Sequence, residues 1–200
     1  MRKSLCILGL FFLIVGQSIL LKGQEFVFAQ KPVDYAHWFL LSGAVLMFTF
    51  SFVFPKNIFH FIGTIFTIIG VIAFIGMSTI DFIIWSFGTE NSRQEFLNHL
   101  FNTPSITLPF IIVGPSFLYV GLAIQSLNYV RTNFPGFILT VIGMVIIGTG
   151  QLISHQRIIV VAGHIIFAIG LVILLNLKQK NVYPAMDIHQ RGSESKFTEL

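Results

Sequence analysis

Six side chains able to carry chemistry fall toward one end of the chain's apolar segments: Asp34, His37, Asp81, His155, Arg157 and His164. Asp81 is the most informative, because it is the only carboxylate in the run IFHFIGTIFTIIGVIAFIGMSTIDFIIWSFG, residues 58–88. An ionised group at bilayer depth costs about 2.5–3.5 kcal/mol on insertion scales and is kept where it meets a partner, an ion or water. At about 100° per helical residue, Asp81 shares a face with Gly63, Thr67, Gly70, Phe74 and Ser78, so it should point at other helices and not at lipid. His164 lies seven residues beyond Arg157, roughly 10 Å along a helix and on the same face. His37 follows Asp34 by three residues, and His155 stands in the connection that leads to Arg157.

Three chemistries compete for this set. Zinc that activates water takes three protein ligands and leaves one open position, and His37, Asp81 and His164 would supply that number from three helices. Those residue types resemble the Ser, Asp and His complement of intramembrane hydrolases of the ceramidase and adiponectin-receptor type, and the resemblance implies a metal-dependent hydrolase. It stops at residue types. Those families carry a close H-x-x-x-H pair in a late helix, whereas His155 and His164 are nine apart with Arg157 between them, which sets the rings on opposite sides of a continuous helix. Proton-coupled transport of a small solute would use Asp81 as the titrating group, with Arg157 or His164 as partner. A protein without chemistry of its own, such as an accessory, stress-related or assembly factor, would use the same polar groups only to fix helix packing. With no phosphate loop, H-E-x-x-H or G-x-S-x-G in the chain, no cofactor is expected.

The elements that must position these groups read as spanning helices. Of 200 residues, 54% are hydrophobic and only 10% charged, far below the roughly 25% charged of soluble domains. Six apolar segments follow, at about 5–21, 36–54, 58–80 with continuation past Asp81, 106–127, 134–153 and 158–177, each of the length a bilayer crossing needs. None alternates apolar with polar residues as a membrane strand would. The fold class is therefore an all-α integral membrane protein with one six-helix transmembrane domain over 1–177 and a flexible tail over 178–200. Met1-Arg2-Lys3 before an apolar run also opens a signal peptide, but Leu5–Leu21 is longer than a usual signal core and no A-x-A-like site follows, so a retained helix is expected.

Glycines recur every seven residues inside these segments: Gly9 and Gly16, Gly63 and Gly70, Gly114 and Gly121, Gly136 with Gly143 and Gly150, Gly163 and Gly170. Ala44 and Ser51 take the same spacing in the second segment. A heptad returns to nearly the same helix face, so each helix carries a small-residue stripe where a neighbour's backbone can approach. Residues 63–81 also align with 136–154 at a constant offset of 73 (Gly63 to Gly136), which suggests that hairpins two–three and four–five descend from one unit. Asp34 is placed to cap the second helix, Ser92 to open a capping box for a short interfacial helix over about 93–101, and Pro115 to kink the fourth helix.

Orientation follows from the cations in the connections. Arg2, Lys3, Lys56, Arg131, Lys178, Lys180, Arg191 and Lys196 fall on one side, against Lys22, Lys31, Arg93 and Arg157 on the other, which places both termini in the cytoplasm and the Asp/His set outside. This bias accounts for most of the net charge of +4, so no nucleic-acid partner is expected. The expected setting is a bacterial inner (plasma) membrane, with membrane lipids and either a membrane-protein partner or a second copy as associates.

Overall fold

The computed structural model describes residues 1–154 and 156–176, and within them the chain is helical with no strand. In chain order the elements are α1 (Arg2–Leu20), α2 (Gln24–Ala29), α3 (Tyr35–Met47, prolonged as a 3-10 helix over Phe48–Phe52) and α4 (Ile58–Ser86). Then come α5 (Glu90–Phe101), α6 (Pro104–Thr107, prolonged as a π-helix over Leu108–Ile112), α7 (Ser116–Ser126, ending as a 3-10 turn over Leu127–Tyr129), α8 (Phe134–Thr149, prolonged as a π-helix over Gly150–Ser154) and α9 (Arg157–Leu175). Five of these, α1, α3, α4, α8 and α9, are long and apolar enough to cross a membrane, and the bent pair α6–α7 makes a sixth if counted as one span. His155 and the tail expected over 178–200 lie outside the described residues.

Local chemistry explains the breaks. Between α6 and α7 the chain bends by 42°. Pro109 and Pro115 lack the N–H that would continue the α-helical ladder, and Val113 N reaches back five residues to Leu108 O at 2.9 Å. A Cβ on Gly114 would lie 1.7 Å from Pro109 O, so only glycine fits at the bend. The kink expected at Pro115 is thus a break spread over several residues. α5 starts earlier than the sequence suggested: its N-cap is Thr89, whose Oγ1 accepts from Ser92 N at 3.3 Å, so Ser92 sits in the first turn instead of capping it. Residues 22–33, which join the first two spans, contain α2.

Three antiparallel hairpins form the body: α1 with α3, α4 with α7, and α8 with α9. The same close contact recurs in each. A Cβ on Gly43 would meet Leu13 N at 2.8 Å and Gly9 O at 3.0 Å; one on Gly121 would meet Thr67 N at 2.5 Å and Gly63 O at 2.7 Å; one on Gly170 would meet Thr140 N at 2.5 Å and Gly136 O at 2.9 Å. Thr67 and Thr140 also make the same bond to the carbonyl four residues back, to Gly63 O at 2.8 Å and Gly136 O at 2.9 Å. A single gap-free shift carries Gly9, Gly16, Gly23, His37 and Gly43 onto Gly136, Gly143, Gly150, His164 and Gly170. The repeating unit is therefore the hairpin one–two, three–four or five–six, which corrects the expected pairing of two–three and four–five. The middle copy differs by the longer connection that contains α5.

Looser contacts between α3 and α4, α7 and α8, and α1 and α9 close the hairpins into a ring. Lys3 Nζ donates to Leu175 O at 2.5 Å, which joins the first helix to the last at one end. Asn128 Nδ2 reaches Pro55 O at 3.3 Å at that same end. Large side chains fill the interior, among them Leu13, Leu40, Met47, Phe50, Phe74, Leu118, Leu122, Phe167 and Leu171, each fully buried. Isoleucine and phenylalanine dominate the outside, as at Phe61, Ile72, Ile142 and Ile158, the face a helix turns to lipid.

Candidate functional site

At the end of the ring opposite Lys3 and Leu175, α3 and α4 bring Asp34, His37 and Asp81 together. Asp34 is the N-cap of α3 and uses both carboxylate oxygens: Oδ1 accepts from His37 N at 3.2 Å, and Oδ2 lies 2.5 Å from His37 Nδ1. The cap thus fixes the imidazole as well as the helix start. The other ring nitrogen, Nε2, faces Asp81 Oδ2 at 3.4 Å. Two carboxylates thus flank the imidazole, Asp34 through a hydrogen bond and Asp81 at ion-pair distance. Exposure grades across the three: the Asp34 side chain is 1% exposed, that of His37 14% and that of Asp81 29%. Phe82 stands edge-on to His37 with centroids 6.4 Å apart and packs on Trp38 at 5.3 Å, so an aromatic wall flanks the imidazole.

α4 continues through Asp81 to Ser86, and at 1.5 Å per residue its 29 residues extend roughly 44 Å, longer than the about 30 Å hydrocarbon core. Asp81 lies five residues before its end. The shared face read from the sequence holds in part: Gly63, Thr67, Gly70, Phe74 and Ser78 are buried, and Asp81 continues their line at the partly open end. Arg157, at the start of α9, donates Nη1 to Leu20 O at 3.3 Å, which ties α9 to α1 at this same end.

His164 is not part of this group. It is 2% exposed and makes a separate pair inside the ring, with Nε2 2.8 Å from Tyr119 OH and Nδ1 2.8 Å from Val160 O. A carbonyl only accepts, so Nδ1 carries the proton and Tyr119 donates to Nε2. Both nitrogens are thereby used, and neither offers a lone pair to a metal without giving up a bond. Among the described residues no three His, Cys, Asp or Glu side chains are grouped as a metal site. The six candidates thus divide into Asp34, His37, Asp81 and Arg157 at one end, His164 with Tyr119 inside, and His155 outside the described residues.

Two polar groupings escape a reading by motif. Tyr119 is one, since it sits unmarked in an apolar segment. The other is Gln125, fully buried, whose Nε2 donates to Thr67 Oγ1 at 3.0 Å and Ser51 Oγ at 3.3 Å, joining α7 to α4 and to the end of the α3 span. A glutamine inside an apolar run was the available signal. No protein-family model matches the chain, and no curated protein or solved structure matches it.

Proposed function

We propose that this is a six-span protein of a bacterial inner membrane, with both termini cytoplasmic, that has no catalytic chemistry of its own and serves as an accessory, stress-related or assembly factor. One observation carries the reading: two interior polar groups are bonded across helices, Tyr119 to His164 and Gln125 to Ser51 and Thr67, amid large apolar side chains. Such bonds fix which helix faces act as interfaces. Asp81→Asn and His164→Ala are expected to leave the protein folded, metal-free on elemental analysis and able to complement a deletion strain. Stoichiometric zinc in the purified protein, lost on His37→Ala, would overturn this in favour of an intramembrane metal-dependent hydrolase.

A second reading, proton-coupled transport of a small solute, is favoured by Asp81 itself. Its carboxylate is partly exposed and faces a protonatable ring at 3.4 Å, next to a span broken by two prolines. Proton uptake into proteoliposomes, abolished by Asp81→Asn and retained in His164→Ala, would establish it. Flux equal to that of empty vesicles removes it.

A further inference from the structure

We propose that the surface where α2, α4 and α5 meet binds a phosphate group of the kind a phospholipid headgroup presents; the inference rests on the membrane setting and on neither functional reading above. Two cations there each lie over an aromatic ring of a different element. Lys31, just past α2, holds Nζ 4.4 Å from the centroid of the Trp85 ring near the end of α4. Arg93 of α5 lies with its guanidinium carbon 4.1 Å from the centroid of the Phe28 ring of α2, and its Nη2 donates to Phe87 O at 2.8 Å.

The donors in this cluster outnumber the acceptors. Arg93 Nη1 faces Glu90 Oε2 at 3.2 Å, but Arg93 Nε and Trp85 Nε1 are both enclosed and have no hydrogen-bond partner. An enclosed donor without an acceptor costs about 1–3 kcal/mol, and native proteins leave few of them. Both missing partners are acceptors; Arg93 Nε belongs to one cation and Trp85 Nε1 to the ring beneath the other, so the complementary group is an oxyanion. Glu90 does not fill that role, because its side chain is 62% exposed and an ion pair so open to water binds weakly. A guanidinium matches a phosphate through paired N–H groups, and tryptophan prefers headgroup level, where phosphates are dense. Lys31 is exposed, so its stem can swing from the Trp85 ring while its charge stays on the anion.

The test uses the full-length protein in nanodiscs of equimolar phosphatidylglycerol and a phosphate-free diacylglycerol glucoside, with retained lipid read by native mass spectrometry. The phosphate lipid is expected to be retained preferentially. Lys31→Gln, Arg93→Gln and the ring-preserving Trp85→Phe should each reduce that preference, by about tenfold for the arginine, the worth of one charge-assisted bond. A chase with inorganic phosphate that strips the lipid assigns the free anion as ligand; retention through the chase assigns the headgroup. Equal retention of the two lipids by the wild type overturns the proposal, as does a Trp85→Phe and Lys31→Gln pair, folded by circular dichroism, with wild-type preference.

Discussion

Asparagine caps a helix about as well as aspartate, so two substitutions at Asp34 separate its roles. Asp34→Asn should keep the start of α3 while weakening the hold on His37 Nδ1. Asp34→Ala removes the cap and leaves a mostly buried imidazole nitrogen without its acceptor, and is expected to cost about 1–3 kcal/mol more in thermal unfolding of the detergent-solubilised protein. The same logic applies inside the ring. Tyr119→Phe deletes the only proton that His164 Nε2 accepts in the structure, and should cost about 1 kcal/mol. In a cycle with His164→Leu the two losses should not add, because either change breaks the one bond. Additive losses would mean that each residue contributes through packing alone.

At the scale of the elements, the hairpins depend on backbone approach at glycine. Gly121→Ala would put its Cβ 2.5 Å from both Thr67 N and Oγ1, and helix backbone cannot yield there without separating α4 from α7. A loss of more than about 2 kcal/mol is expected, of the size overpacking produces. Gly148→Ala meets nothing within 4 Å and should be neutral or stabilising, since alanine is the better helix former. α5 answers to pH. Hydrogen bonds from Gln94, and then from Arg93, hold the Glu90 carboxyl below its ordinary 4.5. A depressed acid supports the folded state above its unfolded pKa, and that support fades as pH falls through the lowered value. Hydrogen exchange at the start of α5 should therefore quicken only in acid, and Glu90→Gln should remove the step. The stripes were legible because seven-residue glycine spacing has one geometric meaning in a helix. Their partners were not, since Gly70 and Gly143 carry no mark of which backbone they meet. Thr89 is masked as a cap for a related reason: Ser92 with Glu95 satisfies the same local pattern three residues on.

For the whole molecule, the ring explains why His164 parts from the rest of the candidate cluster. Polar residues near helix ends read alike in sequence, but the ring brings α3 beside α4 and puts α9 beside α8 and α1, so His164 turns to Tyr119 while Asp81 meets His37. Lys56 and Asn128 belong to connections at the end where Lys3 meets Leu175, and Glu95 to the opposite end with Asp81. The proposed orientation, which rests on the tendency of short loops rich in Lys and Arg to stay inside, makes the first end cytoplasmic. The reporter background is Cys6→Ser, since Cys6 is the only cysteine and a hydroxyl keeps its contact to Thr49 Oγ1, 3.1 Å away. In that background, Glu95→Cys should react with an impermeant maleimide in intact cells, and Lys56→Cys only after permeabilisation. The reverse pattern would turn Asp34, His37 and Asp81 toward the cytoplasm. There the carboxylates would face the cell's own proton pool and not the outside, and uptake driven by an inward proton gradient could not begin at Asp81.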